Sequence, residues 1–110
     1  MSEIENFHAH VYYDAPRTRA QADALCKAAG EKFGIRVGRM HDNPVGPHPR
    51  GSCQLTVPKE KFADVVSWLV LNRKGLTVFT HAQTGNALKD HTDHVIWLGP
   101  SETLELSQFR

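Results

Sequence analysis

The stretch Phe7-His8-Ala9-His10-Val11-Tyr12-Tyr13 sorts its side chains by parity. Phe7, Ala9 and Val11 fall on one side, and His8, His10 and Tyr12 on the other. A period of two, built from aromatic and β-branched types, predicts a strand with one apolar face and one histidine-bearing face. Downstream, Asp14 offers a cap and Pro16 suits the first turn of a helix. Ala22, Leu25, Cys26, Ala29 and Phe33 then recur at helical spacing. Gly30 lies inside that run and costs it about 1 kcal/mol relative to Ala. Residues 34–40, Gly-Ile-Arg-Val-Gly-Arg-Met, alternate again and predict a second strand. Residues 41–51 hold three prolines and two glycines, which predicts a stiff loop.

The second half repeats the rhythm. Residues 52–57, Ser-Cys-Gln-Leu-Thr-Val, predict a third strand. A helix is expected from Pro58, with Phe62, Val65, Val66 and Leu69 as its buried stripe. Arg73, Lys74 and Gly75 suit its C-terminal end. Residues 76–81 predict a fourth strand, and a polar loop runs from Ala82 to Thr92. A short apolar segment follows, Val95-Ile96-Trp97-Leu98, and the tail from Gly99 is expected to be partly ordered. The order β-α-β-β-α-β is that of an α+β, ferredoxin-like split βαβ sandwich with an antiparallel sheet. One face of such a sheet carries both helices; the other stays open or is covered by a partner subunit. No break in the chain suggests more than a single domain over residues 1–110.

Composition narrows the function classes. With 110 residues, 40% of them hydrophobic, the chain is long enough to bury a core. A net charge of +1 lacks the basic field that nucleic-acid binding requires. The longest apolar run, Trp68 to Leu71, falls far short of the roughly 20 residues of a membrane span. The N-terminus has no apolar signal core, so a cytoplasmic location is expected. Cys26 and Cys53 lack metal or redox spacing and are expected to be free and packed. The outlier is histidine, with 7 dispersed along the chain. Histidine is the commonest metal ligand and titrates near neutral pH.

Strand parity says which histidines meet. Cys53, Leu55, Val57, Leu76 and Val78 belong against the helices. Gln54, Thr77, Phe79 and His81 therefore share the open face with His8, His10 and Tyr12, and Arg36 joins them from the second strand. In this topology the first strand is central and antiparallel to the fourth, so the start of one lies beside the end of the other. A cross-strand pair brings Cβ atoms to about 5 Å. His8, His10 and His81 are thus candidates for a three-imidazole metal site. His48, framed by Pro47 and Pro49, is held at fixed geometry in its loop. His94 is preferred over His91 because it lies nearer the ordered segment, and His41 reads as a strand-end residue. Arg36 and Arg50 are either solvated or bidentate partners for a substrate carboxylate. Tyr12, Phe79 and Trp97 on an open face favour a homodimer.

These residues carry a resemblance. Phe7-His8-Ala9-His10-Val11-Tyr12, Val45-Gly46-Pro47-His48-Pro49 with Gln54, and Thr80-His81 with Thr84-Gly85-Asn86 resemble the small DOPA 4,5-dioxygenase family. Asp90-His91-Thr92-Asp93-His94 and Trp97-Leu98-Gly99 extend the likeness to residue 99. The resemblance implies a ferredoxin-like fold, often a dimeric, barrel-like pair. It also implies non-haem Fe(II) and cleavage of a catechol such as DOPA by O₂, beside its two hydroxyls, to a yellow semialdehyde. On that reading His8, His10 and His81 are the iron ligands. His48 and His94 are acid–base candidates or substitute ligands, and Arg36, Gln54 and Tyr12 are substrate contacts. Many non-haem Fe(II) sites use two histidines and a carboxylate. The strand faces supply none, so either the triad is all histidine or Asp90 or Asp93 swings in. The rival reading is a non-catalytic module that holds Zn or another divalent ion, which affinity order favours over Fe(II).

Overall fold

The computed structural model describes residues 3–110. Strand β1 spans Asn6–Tyr13, helix α1 Arg19–Phe33, β2 Arg36–Val37 and β3 Gly51–Pro58. Helix α2 spans Phe62–Asn72, β4 Val78–Gln83, α3 Ala87–Asp90 and β5 Val95–Leu98. The sheet is antiparallel in the order β2-β3-β1-β4-β5, the split βαβ arrangement with a fifth strand added at the β4 edge. β1 is central, as parity and topology predict. Ala9, Val11, Tyr13, Leu55, Val57 and Val78 face α1 and α2, whose Ala22, Leu25, Cys26, Ala29, Val65 and Leu69 complete the core. Cys26 and Cys53 are free and buried in it.

Several boundaries move, each for a local reason. Helix α1 starts at Arg19, not Pro16. Residues 14–18 close a turn first: Thr18 N–H donates to the Asp14 carbonyl at 2.8 Å, and Asp14 N–H to Thr18 Oγ1 at 2.8 Å. The Asp14 carboxylate is meanwhile engaged by Arg50 at 3.1 Å, so it caps nothing. Gly30 stays inside α1 because a Cβ there would come within 2.6 Å of Val37 Cγ2; the helix crosses β2 that closely. Gly34 ends α1 at φ 62°, the left-handed conformation that favours glycine.

The second strand is shorter than residues 34–40. Only Arg36 and Val37 pair regularly with β3, although Gly38 N–H still reaches the Gln54 carbonyl at 2.7 Å. Pro58 is extended, at φ −59° and ψ 148°, and ends β3; a 3-10 turn over Lys59–Lys61 precedes α2. β4 begins at Val78 because Leu76 N–H is turned back onto the Arg73 carbonyl at 2.9 Å. The loop from Ala82 to Thr92 contains α3, whose cap Asn86 accepts the Lys89 N–H at 3.1 Å.

The largest departure concerns the sheet face away from α1 and α2. The sequence leaves that face open or hands it to a partner. In the structure Tyr12 and Phe79 on it are fully buried within the single chain. Two segments cover it: the loop around Pro47 to Arg50, and a C-terminal segment from Gly99 that is ordered rather than loose. Arg50 grips Glu102 through two bonds of 3.0 and 2.7 Å, and Glu105 N–H donates to the Pro47 carbonyl at 2.9 Å. Of the three residues that argue for a homodimer, Tyr12 and Phe79 are therefore covered by the chain itself, and Trp97 stays half-buried. Among the described residues, no helix is long and apolar enough to cross a membrane.

Candidate metal centre

Register places the histidines. His8 lies opposite His81 across the β1–β4 ladder, and His10 lies opposite Phe79. Residues directly opposite each other share a face, so His8, His10 and His81 point the same way. Their ligand atoms lie within 4.8 Å of one another. His10 Nε2 and His81 Nε2 approach to 3.1 Å. Two nitrogens bound to one ion at about 2.1 Å each would sit roughly 3.0–3.4 Å apart. The His10–His81 spacing therefore suits two ligands of a single cation.

Hydrogen bonding fixes how these rings present themselves. His81 Nδ1 lies 2.9 Å from the Ala82 carbonyl, which can only accept, so Nδ1 carries the proton and Nε2 holds the free lone pair. Burial pushes the His81 pKa down to about 4. Burial also holds His10 well below its ordinary value, with His48 and His81 adding to the effect. His8 is half-exposed, and its pKa is lowered by partial burial and by His91. All three imidazoles are thus kept neutral, the form that binds a metal. The donor set fits a borderline divalent cation such as Fe(II) or Zn(II).

His48 lies against this cluster, its ring centroid 4.1 Å from that of His10. Its backbone N–H donates to the Val45 carbonyl at 3.0 Å. Burial, with His91 and His81 nearby, lowers its pKa to about 4. Its Nδ1 is 2.8 Å from the Tyr12 hydroxyl. Tyr12, expected as a substrate contact, is fully buried and spends its hydroxyl on His48, while Arg50 covers its ring at 5.8 Å. Gln54 lies opposite His10 in register, half-buried, with Nε2 donating to Thr56 Oγ1 at 3.2 Å. Arg36 is exposed and lies opposite Thr56, which itself lies opposite His8. Arg36, Thr56, His8 and His81 thus form one row across the sheet.

His94 is not brought to the cluster. It is exposed and pairs through Nδ1 with Asp90 Oδ1 at 2.8 Å. It lines a separate cleft of about 740 Å³ with Phe7, Ala82, Val95 and Ile96. The sequence ranked His91 behind it, yet the His91 ring lies tilted against His81 at 4.2 Å between centroids, and Phe109 stacks on His91 at 4.4 Å. The signal for this was the Asn86 cap, which starts a single helical turn that folds His91 back over β4. Asp90 does not swing in. It is buried and accepts the Thr84 N–H at 2.8 Å, the Thr84 hydroxyl at 2.7 Å and His94. Asp93 is exposed. Among the described residues the group that could hold a metal ion is all histidine. Arg50 is likewise held internally by Glu102 and Asp14.

Comparison with known proteins gives the same direction. A solved structure from Nostoc punctiforme, described as a candidate dioxygenase, superposes with a TM-score of 0.89 at 43% identity, over 93% of this chain and 88% of its own. DOPA 4,5-dioxygenase of Amanita muscaria is 34% identical over 96% of this chain. An uncharacterized 21.2 kDa protein of Botryotinia fuckeliana is 35% identical over 66% of it. The chain spans about half the length of these two curated relatives, 50% and 44%. The sequence profile of the Dopa 4,5-dioxygenase family matches residues 7–108. With the profile covering nearly the whole sheet and all of the histidine cluster, the chain belongs to the Dopa 4,5-dioxygenase family.

Proposed function

We propose that the protein is an extradiol dioxygenase that opens the ring of a catechol with O₂, using Fe(II) held by His8, His10 and His81. The observation that carries this reading is the convergence of three neutral imidazoles, with a fourth, His48, packed against them. Bound Fe(II) supplies the electron transfer that lets O₂ react with a catecholate. The chain supplies the rest. Three imidazoles leave room for substrate beside them. Half-exposed His8 marks the side from which a ligand arrives. Arg36 and Gln54 on the same face are the polar groups placed to meet the substrate's side chain. His48, packed against His10, is the further imidazole within reach of the bound oxygens. Catechol and O₂ combine into one ring-opened acid aldehyde: one ring C–C bond breaks, new C–O bonds form, and no proton is gained or lost overall. Any proton displaced from the catechol is therefore restored by the end of the reaction.

The test is O₂ uptake by protein reconstituted anaerobically with Fe(II) and given DOPA, with absorbance followed for a yellow product. Uptake with colour, absent from the Zn(II) form, is the expected result. His10→Ala and His81→Ala are each expected to lose most of the bound metal. Stoichiometric iron without uptake on DOPA or simple catechols would leave a divalent-metal module instead. Full iron occupancy in either variant would remove the cross-strand site.

A further inference from the structure

The Tyr12–His48 contact assigns a direction to the proton. Tyr12 is fully buried, and His48 Nδ1, at 2.8 Å, is the partner of its hydroxyl among the described residues. If His48 donated to Tyr12, the phenolic hydrogen would be stranded in the interior, at a cost of about 1–3 kcal/mol. If Tyr12 donates, both groups are satisfied. A phenol is protonated at neutral pH, so it has a hydrogen to give. The His48 Nδ1 lone pair is then occupied, and a neutral ring must carry its proton on Nε2.

Both partners are held in place. His48 sits between Pro47 and Pro49, with its backbone N–H on the Val45 carbonyl. Tyr12 lies under the Arg50 guanidinium, itself clamped by Glu102 and Asp14. From this geometry we infer that Tyr12 is a positioning residue. It fixes His48 in the Nε2–H tautomer, so that His48 meets substrate as a hydrogen-bond donor rather than as a base. The inference rests on the ring-cleavage reading for its catalytic consequence and on geometry alone for the tautomer.

The experiment has two arms. Long-range ¹H–¹⁵N NMR on the metal-free and Zn(II)-loaded protein reads the tautomer directly. The expected result is His48 protonated at Nε2 in the wild type and a mixed population in Tyr12→Phe. A proton on Nδ1 in the wild type would overturn the inference without touching the ring-cleavage reading. The second arm is kinetic, on the Fe(II) form. Tyr12→Phe is expected to keep its metal and lose about tenfold or more in kcat, with a much smaller change in KM. In a His48→Ala background the same substitution is expected to change nothing further, because Tyr12 acts through His48. Additive losses, or wild-type kcat in Tyr12→Phe, would refute the positioning role. Lack of O₂ uptake by the wild type would sink the enzymatic reading and leave the NMR arm to decide the tautomer.

Discussion

His48 and His81 carry the same kind of information in their surroundings. Each is buried, each has Nδ1 committed to a neighbour, and each is neutral down to about pH 4. In an unfolded chain the same rings take up a proton near the ordinary value of 6.5. Between those two values the unfolded state binds more protons, so the metal-free fold loses stability as pH falls. The loss begins near pH 6.5 and is complete below about 4. Each pH unit inside that interval costs about 1.4 kcal/mol per histidine. Melting temperatures of the metal-free protein between pH 7.5 and 4.5 should fall steeply, and a flat profile would show that the rings are not held neutral. A cation bound at the cluster would lock His81 in the same neutral form, so the metal-loaded protein should resist acid further until protons displace the ion.

At the scale of elements, the β4–α3 connection does most to shape the site's edge. Asp90 closes it by accepting the Thr84 N–H, the Thr84 hydroxyl and His94 Nδ1 from a buried position. Replacing a carboxylate that satisfies several donors leaves them unmatched. Asp90→Asn should lower unfolding free energy by about 2 kcal/mol, read from urea denaturation. Its iron content should stay near that of the wild type, because Asp90 holds the turn and not the ion. Iron loss equal to that of His10→Ala would mean that the carboxylate reaches the cluster after all. The same elements show what a sequence can and cannot disclose. Alternation in Phe7–Tyr13 sets the parity of β1, and the split βαβ order sets its neighbour, so the meeting of His8, His10 and His81 was legible. The exchange of His94 for His91 was not, because a single turn of helix has too few residues to show a period. The shift of the α1 start was hidden for another reason. Asp14 has a cap's chemistry, but its carboxylate is claimed by Arg50, 36 positions away.

The whole molecule has α1 and α2 on one side of the sheet and its own tail on the other. No local pattern announces such a tail: its anchors, Arg50–Glu102 and His91–Phe109, pair residues far apart in sequence or lying in irregular backbone. The Arg50–Glu102 pair is bidentate and partly buried, the geometry in which an ion pair contributes most. Arg50→Ala should therefore loosen residues 102–109 selectively. Amide protection there should fall by roughly tenfold or more, while protection in β1 and β3 stays unchanged. Protection that falls equally everywhere would mean that the tail is not a separate unit but part of the global fold.

The pairing of β1 with β4 has a consequence in time. His10 and His81 are 71 positions apart, so a ribosome releases one long before the other. Until β4 is made, a growing chain offers two of the cluster's three imidazoles, His8 and His10. The third imidazole arrives once the middle of the sheet can close, and the covering tail comes later still. On the proposed reading, capture of an ion by this cluster therefore waits until His81 has been made and β4 has paired with β1.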